Sequence, residues 1–294
     1  MNTIIEVKNL VKKFGDLVAV NNISFKIEQG VCFGLLGPNG AGKTTTIEVI
    51  EDVISPTSGE ILYKNEPRGA AFRDSVGIQF QNTALLNFLT VRETLETFQN
   101  LYSKTTPIEE LTELCQLSEF LDQYNEKISG GQRQRFLLSL ALINQPELIF
   151  LDEPSTGLDP QARQNLWDLI RKIKKEGKTI VLTTHYMEEA QHLCDEIAIM
   201  DYGKIISRGT PSELIKRYSP QVTVILPKAQ FRPYTGGVEL PYREVGDTVE
   251  IKTDNVNTCL KNLLAHNIDL SEVSVRSPDL ETVFLNLTGR KLRE

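Results

Sequence analysis

The run Gly37-Pro38-Asn39-Gly40-Ala41-Gly42-Lys43-Thr44-Thr45 follows an apolar stretch at 31–36 and opens a helical pattern. Its spacing fits G-x-x-x-x-G-K-[ST], in which glycines let backbone N–H groups turn inward around phosphates. The helix start adds positive potential, the Lys43 ammonium can bridge phosphate oxygens, and the Thr44 hydroxyl can reach Mg2+. A second constellation is Leu148-Ile149-Phe150-Leu151-Asp152-Glu153, an apolar strand ending in two carboxylates. In an open α/β sheet the carboxyl ends of strands face the ligand crevice, and neighbouring side chains there point apart. One carboxylate can therefore serve a Mg2+ shell while the other reaches an attacking water. A third is Ser129-Gly130-Gly131-Gln132, where a serine at the capping position and two glycines expose helix-start N–H groups to a phosphate. Only a helix over 131–143 and the loop Asn144-Gln145-Pro146 separate it from the carboxylate strand.

These residues need a frame, and the hydrophobic pattern supplies one. Short β-rich runs at 4–7, 23–27, 31–36, 61–63, 76–80, 148–151, 179–183 and 196–200 alternate with helical patterns at 43–51, 91–102, 108–115, 131–143, 162–175 and 187–194. That alternation predicts an α/β domain with a largely parallel sheet covered by helices. A short helix at 212–218 runs into Ser219-Pro220, after which the rhythm changes. The domain boundary is placed at Tyr218, giving domains over 1–218 and 219–294. The second reads as a small α+β unit: strands at 222–226, 238–245 and 249–252, a helix carrying Val256, Leu260, Leu263 and Leu264, a strand at 273–275, and a last helix carrying Leu280, Val283, Phe284 and Leu287.

The chain has 294 residues, enough for about two domains, each with a buried core. Lys+Arg 32 against Asp+Glu 39 gives −7, which offers no basic face for neutralising nucleic-acid phosphates. No uninterrupted apolar run is long enough to span a bilayer, and Met1–Lys13 lacks the pattern of a signal peptide, so a chain that is neither membrane-spanning nor exported is expected. Cys32, Cys115, Cys194 and Cys259 are scattered through apolar segments and read as reduced core residues. His192 and His266 read as surface or core residues rather than ligands.

The order of motifs resembles the ATP-binding subunit of ABC transporters over roughly residues 1–215. It comprises the phosphate loop, Ile78-Gln79-Phe80-Gln81, Ser129-Gly130-Gly131-Gln132, Asp152-Glu153, Ser155-Thr156-Gly157-Leu158-Asp159 and Thr183-Thr184-His185. The resemblance implies a P-loop NTPase fold with a helical signature subdomain, using ATP and Mg2+. Residues 37–45 would hold ATP, with Thr44, Gln81 and Asp152 around Mg2+. The glutamine could be Gln79 or Gln81, and the family's spacing favours Gln81. Glu153 would be the general base, His185 would contact the γ-phosphate, and Phe14 would stack on adenine where the family often has Tyr. Residues 129–132 would bind ATP held by a second subunit, and Asp159 would lie at the dimer interface. Two chains would meet head to tail, a homodimer being expected over a heterodimer. Residues 82–102 lie where the family docks a membrane subunit, and Leu85, Leu86, Phe88 and Leu89 make that loop apolar, although a buried loop would explain them equally well.

The ending 280–290 resembles the C-terminal accessory domain of drug- and antibiotic-resistance exporters, the daunorubicin type among them. The expected function is thus the ATP-hydrolysing subunit of an exporter, on the cytoplasmic face of the plasma membrane beside a separate permease and without a nucleic-acid partner. The alternative is a soluble ABC ATPase with an assembly task such as iron–sulfur cluster building, which generally ends near the Tyr218 boundary.

Overall fold

The computed structural model describes residues 2–81, 83–231 and 241–289. They fall into two compact units, dividing between Pro211 and Ser212 rather than after Tyr218. The helix Pro211–Tyr218 thus belongs almost wholly to the second unit, where Asn286 Nδ2 donates to Tyr218 O at 2.9 Å.

The first unit is built on a six-stranded sheet ordered Lys204–Gly209, Glu196–Asp201, Cys32–Leu36, Thr179–Thr184, Leu148–Asp152 and Val76–Gln79. All neighbours are parallel except Lys204–Gly209, which pairs antiparallel with Glu196–Asp201. Every residue of Cys32–Leu36, Leu148–Asp152 and Thr179–Thr184 is buried. Strands covered on both faces read as unbroken apolar runs rather than alternating ones. Parallel pairing also carries function: Leu36 pairs with Thr184 and Asp152 with Thr183, so the segments following all three strands emerge side by side.

A separate antiparallel sheet is ordered Leu17–Glu28, Thr3–Phe14, Ser58–Tyr63 and Glu66–Pro67. The short strands expected at 4–7 and 23–27 are parts of this long hairpin. Repeated register shifts, with Asn9 and Asn22 at positive φ (48° and 53°), interrupt the period-2 pattern by which the hairpin could have been seen. Ile5, Val7, Leu10, Phe25 and Ile27 of the hairpin share one core with Phe33, Leu35, Phe150 and Val181 of the parallel sheet and Ile47, Val49 and Ile50 of the helix Lys43–Ile50. Phe25 stacks on Phe33 at 5.4 Å, and each such fully buried side chain contributes roughly 1.5–3 kcal/mol. This core anchors the helix that begins at Lys43.

The second unit is a four-stranded antiparallel sheet ordered Tyr242–Val245, Thr248–Thr253, Val222–Pro227 and Ser274–Arg276. The helix Val256–Ala265 packs on it through Cys259 and Leu263, over Val224, Leu226, Val249 and Ile251. Residues 238–240 of an expected strand and Arg290 of the C-terminal phrase lie outside the described residues. All four cysteines are free and buried. No helix among the described residues is long and apolar enough to cross a membrane.

Candidate functional site

The phosphate loop is shaped by its glycines and by what crowds them. Gly42 caps the helix Lys43–Ile50 at φ 99°, and a Cβ there would stand 2.2 Å from Ala19 O. A Cβ on Gly37 would stand 2.3 Å from Met200 O. Neither position accepts a side chain, and so the loop keeps its cradle open on the far side. Lys43 is buried, and its Nζ donates to Gly37 O at 2.8 Å and Pro38 O at 3.2 Å, spanning the cradle from within. Burial pushes the Lys43 pKa down, while the charges of Glu153 and Asp152 oppose that shift.

Two carboxylates meet this loop from the neighbouring strand. Asp152 is buried and accepts a hydrogen bond from Thr183 Oγ1. Burial raises its pKa and the nearby Glu153 adds to the rise, whereas Thr183 and Lys43 hold it down. Glu153 sits at φ 47°, and its backbone N–H donates to Thr183 O and Oγ1, each at 3.1 Å. That left-handed residue is held by the adjacent strand, and its side chain is a meeting point. Glu153 Oε2 accepts from Gln81 Nε2 at 3.0 Å and from Thr156 Oγ1 at 3.2 Å. His185 Nδ1 lies 3.3 Å from the same oxygen, close but not aligned for a hydrogen bond. Gln79 instead is buried with Nε2 bonded to Gln134 Oε1 at 2.6 Å, so Gln81 is the glutamine that faces the carboxylate.

A cavity of about 740 Å3 unites these groups. Phe14, Asn39, Gly40, Gly42, Lys43, Thr44, Thr45, Gln81, Glu153 and His185 all line it. Gly37, Pro38, Ala41 and Asp152 do not line it; Gly37 and Pro38 carry the carbonyls that hold Lys43, and the Lys43 charge acts on the Asp152 carboxyl. Residues 129–132 and Asp159 border a different concavity of about 470 Å3. There Ser129 and Gln132 form a reciprocal cap on the helix Gly130–Ala141, with Gln132 N to Ser129 Oγ at 3.3 Å and Ser129 N to Gln132 Oε1 at 2.8 Å. Asp159 caps the helix Pro160–Lys175 by accepting from Ala162 N at 2.9 Å.

Several lining and supporting residues escape a reading by motif. Leu17, Val18, Ala19, Tyr202 and Gly203 complete the larger cavity, brought there by hairpin pairing rather than by any local pattern. Glu189 is fully buried and accepts from Trp167 Nε1 at 3.0 Å. Its signal was an acid four residues after His185, among Met187, Ala190 and Leu193 on one short helix.

The donor chemistry also bears on metal. No group of three or more His, Cys, Asp or Glu among the described residues could hold an ion. A hydroxyl at Thr44, an amide oxygen at Gln81 and one carboxylate at Asp152 suit a hard cation that arrives with phosphate oxygens, which is how Mg2+ is usually bound.

The profile described as ABC transporter matches residues 20–156. The chain is 37% identical to the Nod factor export ATP-binding protein I of Rhizobium sp. (strain N33), covering 99% of this chain and 98% of that one. It is 34% identical to the linearmycin resistance ATP-binding protein of Bacillus subtilis (strain 168), covering 99% and 100%. A subunit of an ABC transporter complex from Clostridium perfringens superposes with TM-score 0.66 at 27% identity, over 75% of this chain and 97% of that one. The dimeric structure of a bacterial ABC transporter cassette gives TM-score 0.61 at 28% identity, over 70% and 98%. Fold and site together define a nucleotide-binding P-loop ATPase. The chain belongs to the ABC transporter ATP-binding family.

Proposed function

We propose that this chain is the ATP-hydrolysing subunit of an ABC exporter, working as a dimer beside a separate membrane permease at the cytoplasmic face of the plasma membrane. The observation that carries the catalytic part is the convergence of Gln81 and Thr156 on one oxygen of Glu153, with His185 3.3 Å away and the lysine of the phosphate loop in the same cavity. The exporter part is supported by likeness along almost the whole chain, the second unit included, to proteins named for export and resistance. By itself the second unit counts against a role in cofactor assembly.

ATP binds with its phosphates in the loop formed by residues 37–45. Backbone N–H groups and the Lys43 ammonium share the negative charge, and Phe14 receives the adenine ring. Thr44, Gln81 and Asp152 would hold Mg2+ together with phosphate oxygens, and the bound ion would supply charge neutralisation. Glu153 orients water for in-line attack and takes its proton; Gln81 and Thr156 fix which way the carboxylate faces. His185 contacts the γ-phosphate. Ser129, Gly130, Gly131 and Gln132 of one chain close on the ATP of the other, and Asp159 lies along that seam. The permease is expected against residues 82–102. Leu86 and Phe88 there are exposed, and Phe98 and Tyr102 of the same segment line a groove of about 350 Å3. Such exposed apolar side chains mark an interaction face.

Two measurements test the reading. Glu153→Gln is expected to lower ATP turnover by about 10²- to 10⁴-fold, the range of a positioned acid–base group, with nucleotide binding kept. Near-normal turnover would remove Glu153 from its role. Affinity purification from detergent-solubilised membranes is expected to bring down a polytopic membrane protein in stoichiometric amount; soluble companions alone would favour the assembly alternative.

A further inference from the structure

The turn between the strands Glu196–Asp201 and Lys204–Gly209 consists of two residues, Tyr202 and Gly203, both at positive φ (46° and 74°). A tight hairpin turn with two left-handed residues favours Asn-Gly, Asp-Gly or Gly-Gly, because a bulky side chain at the first position is strained. A tyrosine there opposes the local preference. Such an outlier points to a demand made elsewhere in the molecule.

The surroundings show where the demand arises. Gly203 N donates to Ala41 O in the phosphate loop at 2.9 Å, and Asn21 N in the long hairpin donates to Gly203 O at 2.8 Å. A Cβ on Gly203 would stand 2.9 Å from Ala19 O, so the turn is pressed against the hairpin with no room to slide. Tyr202 N donates to Asp201 Oδ1 at 3.1 Å. The turn is thereby pinned on both sides, to the loop that holds phosphate and to the strand that begins at Leu17. Tyr202 is two-thirds exposed (66%), and it lines the 740 Å3 cavity. The cavity's polar part is Asn39, Gly40 and the run Gly42–Thr45, while its apolar part is Phe14, Leu17, Val18 and Tyr202. A molecule with phosphates at one end and an aromatic heterocycle at the other matches that division.

We propose that Tyr202 is a nucleobase-contacting residue, a second aromatic wall of the base site alongside Phe14, for which the strained turn is retained. The proposal rests on the reading of the cavity as an ATP site. Aromatic side chains hold bases through their π-faces, an interaction that depends little on base identity. The effect is therefore on affinity for any purine nucleotide rather than on choice between ATP and GTP.

The turn chemistry makes a clean test possible, since the substitution that suits the backbone is the one that removes the ring. Tyr202→Asn in the full chain is expected to raise the melting temperature, because Asn tolerates the left-handed conformation. The same variant is expected to bind ATP about 5- to 20-fold more weakly by calorimetry, at the lower end of what removal of a base-stacking ring costs. Inorganic tripolyphosphate, which has no base, is expected to bind Tyr202→Asn and the parent chain alike. Tyr202→Phe, which keeps the ring, is expected to restore ATP binding to within twofold of the parent. Lys43→Ala serves as the reference and is expected to weaken both ligands. The proposal is overturned if Tyr202→Asn binds ATP as tightly as the parent, or loses ATP and tripolyphosphate equally, while Lys43→Ala behaves as expected. If Lys43→Ala leaves both ligands unaffected, it is the ATP-site reading itself that fails.

Discussion

At the scale of single residues, the site depends on charges held where water is scarce, and Glu51 carries that condition furthest. It ends the segment that runs from Lys43, it is buried, and its Oε1 finds no hydrogen-bond partner among the described residues. Burial, with Asp152 and then Glu48 nearby, pushes its carboxyl from the ordinary 4.5 up to about 8. The folded chain therefore keeps a proton that the unfolded chain releases. Between about 4.5 and 8 stability falls as pH rises, because folding must take up that proton, and above 8 the slope vanishes. Glu51→Gln retains the shape without the charge, so its advantage over the parent chain should grow across that window to the order of a few kcal/mol. Thermal melts of both proteins at about pH 5.5, inside that window, and at about pH 8.5, just above it where the difference is fully developed, read this directly. Parallel curves would show that Glu51 is already ionised in the fold. No sequence pattern announced Glu51, which sits in a helical run beside another acid and reads there as solvated. Lys43, Asp152 and Glu153 were legible, since their chemistry is written in consecutive residues.

At the scale of elements, the parallel strands of the first unit were legible, as were the short antiparallel strands of the second, whereas the long hairpin of the first unit showed only in pieces, each for a physical reason. Cys32–Leu36, Leu148–Asp152 and Thr179–Thr184 are covered on both faces and stand out as apolar blocks. The hairpin Thr3–Phe14 with Leu17–Glu28 changes register several times, so the alternation of Ile23, Phe25 and Ile27 does not continue along its whole length. What it brings to the cavity, Leu17 and Val18, was hidden for that reason, as was Tyr202 in its two-residue turn. Cross-element links were hidden too. Glu189 accepts from Trp167 Nε1 on the helix Pro160–Lys175, and the hydroxyls of Thr184 and Ser155 nearby oppose the upward pull of burial on its pKa. One buried acid thus ties its own short helix, which follows His185, to the long helix that follows Asp159. Glu189→Ala would strand the indole N–H of Trp167, itself buried, at about 1–3 kcal/mol. It should also lower ATP turnover with KM for ATP little changed, since Ser155 and Thr184 beside it lie within two residues of Glu153 and His185 rather than in the phosphate loop. Glu189→Gln offers an acceptor to the indole and should recover most of both losses. Denaturant titration with steady-state ATPase assays checks this, and an Ala variant of parental stability and turnover would exclude the linking role.

At the scale of the whole molecule, the proposed function makes two surfaces of one chain, which share no lining residue, the halves of a composite site. The cavity of the phosphate loop and the concavity around Ser129 and Asp159 are separate surfaces of the first unit. An arrangement in which each half is completed by a second copy makes turnover a property of pairs, and pairs can be built from defective partners. Lys43→Ala damages the phosphate loop and leaves residues 129–132 intact, whereas Ser129→Arg blocks the second surface and leaves the loop intact. Each variant alone has no composite site in which both halves work, so each is expected to be inactive. In a mixed pair, the intact loop of the Ser129→Arg chain meets the intact Ser129 surface of the Lys43→Ala chain, restoring one site of the two. Random pairing at equal amounts makes about half the dimers mixed, so turnover should return to about a quarter of the parental value if the two sites act independently, the additivity expected of uncoupled sites. A mixture well below that fraction, formed from chains shown by size-exclusion chromatography to pair, would mean that both sites must be whole before either turns over. Undiminished turnover by Ser129→Arg alone would exclude the composite site, because the loop and Glu153 of one chain would then suffice.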